Sequence, residues 1–158
     1  ALVKSGLLPY GRLGQVTKDS PTLFRNDINR HISQMVTTRV GTTNSPWLKD
    51  FAIGDLHTIA VSHGEGKFVV NEEFAKELFA NGQVAFQYVD PLEEEPTMES
   101  PYNPNGSSFA IEGIIDPSGQ ILGKMGHTER YERDLMKNIH GEKVQDIFAN
   151  AVNYFLNR

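Results

Sequence analysis

FAIEGIIDPSGQILGKMG, residues 109–126, reads as two strands joined by a tight turn. Apolar, β-branched residues flank Asp116-Pro117-Ser118-Gly119, which sets a proline early in the turn and a glycine at its end. A hairpin of this kind needs further strands to bury its faces, and the chain supplies them upstream. QVAFQYVD, residues 83–90, alternates so that Val84, Phe86 and Tyr88 are predicted on one face. HISQMVTTRVG, residues 31–41, is rich in β-formers and is ended by TTNSP. LHTIAVSHGEG, residues 56–66, begins as an apolar strand and breaks at His63-Gly64-Glu65-Gly66, after which KFVV resumes extended structure.

Helical signals stand between and after these strands. Asn71 is placed to cap EEFAKELFANG, with Phe74, Leu78 and Phe79 at helical spacing and Asn81-Gly82 as the stop. The tail, residues 142–158, aligns Val144, Ile147, Phe148, Ala151, Val152, Phe155 and Leu156 on one face, which predicts an amphipathic helix covering a sheet. At the start, ALVKSGLLPYG reads as the last turns of a helix, closed by Gly6 and followed by Pro9. A helix met in its middle leads to the expectation that the chain is the downstream part of a longer protein. Together the elements predict an α/β domain, a mixed sheet flanked by helices, spanning residues 1–158. Residues 90–108 form a long loop rich in Pro, Glu, Asn and Ser, and loops of that length inside a domain are often functional.

Composition narrows the function. The 158 residues suffice for one domain with a real core, and nine Phe, five Tyr and one Trp mark a folded chain. Net charge is −5 with the two signs interspersed, so no basic stripe offers a nucleic-acid face. No apolar run approaches the ~18 residues of a membrane span. Cysteine is absent, which excludes disulfides, thiolate metal sites and a cysteine nucleophile within these residues.

Two His-x-Glu pairs are the chemical candidates. His127 and Glu129 sit where a strand is predicted to end. While the backbone stays extended, residues two apart share a side, so Glu129 can hold one ring nitrogen of His127 and leave the other free as a base. The alternative is a solvated histidine, with Glu129 paired to Arg130 or Arg133. His63 and Glu65 repeat the spacing, and the four side chains together would suit zinc or iron in a hydrolase or lyase. Equally, the glycines beside His63 describe a tight turn. Asn103-Pro104-Asn105-Gly106-Ser107-Ser108 reads as a connecting turn or a binding loop, and Ser33-Gln34 as the exposed face of a half-buried strand.

Several stretches carry a resemblance. PYG, SHGEGKFVV, QVAFQYVD, NPNGSSFAIEGI, DPSG and GKMGHTER are similar, in that order, to the glutaminase domain of phosphoribosylformylglycinamidine synthase, a class I glutamine amidotransferase. GKMGHTER and KNIHGEK resemble the long single-polypeptide form, in which the glutaminase comes last. The resemblance implies a class I glutamine amidotransferase-like fold, incomplete on its N-terminal side. It implies His127 as general base and acid, Glu129 as its orienting partner, and a cysteine nucleophile just upstream of Ala1, so that the chain alone is inactive. It places Ser33, Gln34 and Met35 in a region that contributes to the glutamine pocket. Members often carry Arg-Trp-Val where this chain has Gln34-Met35-Val36, which leaves the backbone as the shared feature. His63 and Glu65 belong to a family motif with no assigned step. The implied partners are glutamine and the synthase portion of the same polypeptide. ATP and magnesium belong to that synthase portion, with no cofactor or metal on these residues and a cytoplasmic location. A non-catalytic interaction module is the remaining alternative.

Overall fold

A computed structural model describes residues 1–157. Six strands form the main sheet: β2 (Ile32–Val40), β3 (Leu56–His63), β5 (Val84–Tyr88), β6 (Ile111–Ile115), β7 (Leu122–Lys124) and β8 (Gly126–His127), in the order β7-β6-β5-β2-β3-β8. Two short strands, β1 (Thr22–Phe24) and β4 (Lys67–Val69), make a separate ribbon. The flanking helical segments are α1 (Leu2–Ser5), α2 (Leu7–Tyr10, a single turn broken by an extended Leu8), α3 (Glu72–Ala80) and α4 (Ile147–Leu156). The α/β class with flanking helices is as the sequence predicts. Among the described residues every ladder is antiparallel, so the mixture of strand directions that was expected does not occur among these strands.

The outermost strands are consecutive in sequence. β7 pairs with β6 through Ile115↔Leu122 and Gly113↔Lys124, whereas β8 pairs with β3 through Val61↔Gly126 and Ala60↔His127. Only Met125 separates the two. The sheet must therefore curl until its edges nearly meet, as strand twist favours.

The turn at residues 116–119 forms as predicted. Asp116 Oδ1 accepts the Ile121 amide at 2.8 Å, and Oδ2 accepts the Ser118 amide at 3.1 Å and hydroxyl at 2.6 Å. Gly119 has φ 72°, and its carbonyl accepts the Ser45 hydroxyl at 2.7 Å. Asn71 caps α3 by accepting the Phe74 amide at 2.8 Å. α1 closes at Gly6, which has φ 87°.

Three apolar clusters hold the sheet. Val3, Leu8, Ala75 and Leu78 of the helical segments pack on Val84, Ile111 and Ile114. Ile32, Val36, Ile59, Val61 and Tyr88 form a second cluster, and Val40, Leu48, Phe86, Ile115 and Ile147 a third. The alternation expected in β5 does not survive. Val84, Phe86 and Tyr88 fall into three different clusters, because register shifts at Val84/Phe86 and Phe86/Gln87 turn the strand between them. In α3, Phe79 is exposed because it lies about 100° past Leu78, at the edge of the buried stripe.

The tail departs most from its reading. Helix begins at Ile147, not at Glu142. Residues before it are claimed by tertiary contacts: the Thr58 amide donates to the Glu142 carbonyl at 2.6 Å, and Gln145 is 2% exposed. Only the Ile147–Ala151 side of α4 is buried, while Phe148, Val152, Phe155 and Leu156 are exposed. Arg158, the predicted last residue of that helix, lies outside the described residues.

A Cβ on Gly119 would stand 2.1 Å from the Asn44 carbonyl oxygen, at a backbone angle unfavourable to any other residue. Gly119→Ala is expected to destabilise the fold by about 1–3 kcal/mol, measured by urea unfolding. An unchanged midpoint would show that the turn does not need its glycine.

Candidate active site

β8 brings His127 to the sheet and then ends. Pairing of Ala60 with His127 and of Met35 with Ala60 sets the three residues in one row across β2, β3 and β8. Beyond His127 the chain enters a 3-10 turn, Thr128–Arg130, which carries Glu129 back toward the ring. Glu129 Oε1 lies 2.7 Å from His127 Nδ1. The convergence expected of two residues in extended backbone is thus made by a turn. With an ionised Glu129, Nδ1–H donates and Nε2 stays free.

Glu129 is ionised at neutral pH. Burial by itself raises its carboxyl, but the His127 hydrogen bond, a backbone amide and the charges of His127 and Arg130 outweigh this and hold it below the usual range. An open cavity of about 370 Å³ lies over the pair, lined by His127, Glu129, Leu2, Trp47 and Phe148. Ala1 and Leu2 also line the neighbouring cavity with Glu112 and Met125, so the start of the chain and His127 lie on the same side of the domain.

Of the three residues assigned to the glutamine pocket, only Met35 lines a space with His127. Ser33 is exposed one step along the strand, opposite Ser62. Gln34 points to the other face and donates to the Pro101 carbonyl at 2.9 Å.

His63 and Glu65 do not join His127 and Glu129 in a metal site. Among the described residues no three His, Asp or Glu side chains cluster as ligands would. Glu65 is turned outward toward Arg25, 3.8 Å away. His63 faces inward, and its Nε2 accepts from Asn105 Nδ2 at 3.0 Å. Asn105 Nδ2 also lies 2.9 Å from the Gly66 carbonyl and 3.0 Å from the Tyr88 hydroxyl, and Asn105 Oδ1 accepts the Ser107 hydroxyl at 2.7 Å. Asn26 ties the same turn by donating to the His63 carbonyl at 2.7 Å and accepting the Gly66 amide at 3.1 Å. Gly66 makes room for the imidazole, since a Cβ on it would run into His63 Cδ2 unless the ring moved. The four-residue turn and the Asn103–Ser108 loop are therefore one hydrogen-bonded unit.

Glu112, Lys124, Thr128 and Gln145 escaped the sequence reading. Lys124 Nζ donates to Thr128 Oγ1 at 2.7 Å and to Gln145 Oε1, which also accepts the Thr128 hydroxyl at 2.7 Å. Burial lowers the Lys124 pKa, against the attraction of Glu112 and Glu129. A charge inside each apolar run, Glu112 in FAIEGII and Lys124 in QILGKMG, was the available signal.

The fold is that of the class I glutamine amidotransferase-like domains. A chain in the structure of PurLQS from Thermotoga maritima superposes with a TM-score of 0.62 and 25% identity, over 90% of this chain and 55% of that one. Residues 1–155 match the CobB/CobQ-like glutamine amidotransferase domain, and the chain belongs to that family. Among its relatives are phosphoribosylformylglycinamidine synthase subunits PurQ. That of Rhodopseudomonas palustris is 32% identical over 97% of this chain and 58% of its own length. Those of Methanosarcina mazei and Acaryochloris marina are 34% and 38% identical, each over 82% of this chain and over 55% and 49% of their own lengths. The chain thus spans about half the length of the curated relatives it matches. Among the described residues, no helix is long and apolar enough to cross a membrane.

Burial, followed by the charges of His31 and His127, lowers the His63 pKa from 6.5 to about 4. The unfolded chain takes up this proton near pH 6.5 and the folded chain only near 4, so stability is full above 6.5 and drains as pH falls through that window. The loss is on the order of 1–3 kcal/mol, allowing for solvent access to the half-buried ring. In His63→Gln this part of the acid limb is expected to vanish, as followed by urea unfolding from pH 7 to 4. An unchanged limb would mean that another group causes it.

Proposed function

We propose that the chain is the His/Glu-bearing, C-terminal part of a glutaminase domain that releases ammonia from glutamine. The ammonia is used in the ATP-dependent conversion of formylglycinamide ribonucleotide to its amidine, in de novo purine biosynthesis. The observation that carries this reading is the 2.7 Å hydrogen bond between His127 and Glu129 in a chain of the glutamine amidotransferase family.

The chemistry follows from that pair. A cysteine passes its thiol proton to His127 Nε2, and the thiolate attacks the carboxamide carbon of glutamine while backbone amides hold the oxyanion. Its C–N bond breaks as His127 Nε2 gives a proton to the leaving ammonia. The same nitrogen then takes a proton from water, which attacks the thioester and releases glutamate and the thiolate. Glu129 keeps Nδ1 protonated throughout, so that Nε2 is the nitrogen that exchanges protons. The 158 residues contain no cysteine, so the thiolate comes from another part of the enzyme, and these residues alone are inactive.

The glutamine pocket draws on residues 33–35 of β2, where Met35 stands in the row with His127. The synthase portion of the same polypeptide receives the ammonia, and ATP and magnesium act there, in the cytoplasm.

In the full-length enzyme, His127→Ala is expected to abolish glutamine-dependent amidation while amidation driven by added ammonia persists. Glu129→Gln should lower the glutamine-dependent kcat by about 10–100-fold, because the ring loses its orienting charge. Equal losses of the glutamine and ammonia reactions in His127→Ala, with the fold intact, would refute this division of labour.

A further inference from the structure

Glu112 sits at the point where the curled sheet closes. It lies within β6 between buried Ile111 and Gly113, and is itself 3% exposed. Its Oε1 accepts the Met125 amide at 3.0 Å and also the Gly126 amide. The Met125 amide lies 3.2 Å from the Glu112 carbonyl as well. Met125 is the single residue that carries the chain from pairing with β6 to pairing with β3. One carboxylate oxygen thus receives two amides at the crossover, immediately before His127.

A buried carboxylate on an otherwise apolar strand is costly to desolvate, and the chemistry above gives it no step. The close approach is also specific. A Cβ on Gly126 would stand 2.9 Å from Glu112 Oε1 and 1.9 Å from Ile59 Cδ1, so Gly126 leaves room for the contact. On the far side of His127, Thr128 is held by Lys124 and Gln145. The chain is therefore tied on both sides of the imidazole, through two backbone amides before it and the Thr128 hydroxyl after it.

We infer that Glu112 is a positioning residue for His127: by gripping the Met125 and Gly126 amides at the sheet closure, it sets where the imidazole stands and how it faces the substrate. The inference rests on the glutaminase reading above. At the two amides its action is one of reach, while its charge also favours the ammonium of Lys124. A glutamine at this position keeps an oxygen acceptor at the same distance. An aspartate keeps the charge but withdraws it by one methylene.

The test compares Glu112→Gln and Glu112→Asp in the full-length enzyme, with glutamine hydrolysis, ammonia-dependent amidation and melting temperature measured on each. Glu112→Gln is expected to keep kcat for glutamine within about 5-fold of wild type, whereas Glu112→Asp loses about 30-fold or more. KM should stay within about threefold in both, and the ammonia reaction should be retained. The inference is overturned by Glu112→Asp with wild-type kcat, by a larger loss in Glu112→Gln than in Glu112→Asp, or by losses that fall equally on the ammonia reaction. An aspartate variant that does not fold also overturns it, because the contact would then hold the fold and not aim the ring. His127→Ala in the same assay separates the two claims. If wild type hydrolyses glutamine and His127→Ala does not, the glutaminase reading stands whatever Glu112 does. If wild type hydrolyses none, that reading falls and takes this inference with it.

Discussion

The rest of this sheet depends on one change of strand partner, made where the chain passes from one edge of the sheet to the other. Residues 122–127 belong to both edges of the sheet, and the change of partner from β6 to β3 occurs at Met125. A backbone that changes partners leaves amides without a ladder, and a buried amide without an acceptor costs about 1–3 kcal/mol. Glu112 supplies that acceptor from within β6. The curl of the sheet, the position of β8 and the row formed by His127, Ala60 and Met35 go with this change of partner.

The two His-x-Glu pairs show how the same spacing serves different ends. At residues 127–129 a 3-10 turn folds the carboxylate onto the ring, and both side chains stay partly open to solvent. At residues 63–65 the glycines let the imidazole pack against the turn while the carboxylate swings out to Arg25. Burial decides the outcome. The half-buried His63 is kept neutral and serves as an acceptor for Asn105, whereas His127 borders open cavities and faces a carboxylate. The bond at His63 therefore occupies Nε2, whereas the bond at His127 holds Nδ1 and leaves Nε2 open.

Polar groups in this domain act across long sequence distances. The Asn103–Ser108 loop reaches back to the turn after β3, and Gln145 in the tail reaches Lys124 and Thr128. These contacts explain why the segment before α4 is not helical. Its Glu142 carbonyl and Gln145 side chain already have tertiary partners, and the gain from one more helical turn is small beside them. The apolar stripe that the sequence lays along the tail is consequently split, with Ile147 in the third cluster and Phe148, Val152 and Phe155 left at the surface.

Much of the local structure was legible in the sequence. The Asp116–Gly119 turn, the Asn71 cap, the Gly6 helix end and the His127–Glu129 pair all involve residues within about five positions of one another, where backbone preference and side-chain reach settle the geometry. Similarity of the motifs to one family was also visible there, and the match over residues 1–155 agrees with it. Other features depended on distant partners. Glu112 meets Gly126 across 14 positions, Asn105 meets His63 across 42, and the bulges that scatter Val84, Phe86 and Tyr88 arise only against β6. Local sequence settled which short segments turn, pair or coil, and put a histidine beside a carboxylate. Where the sheet closes, which charges are buried beside that point and which histidine is held neutral were settled only by the folded chain, because desolvation and hydrogen-bond completion depend on neighbours that only folding assembles.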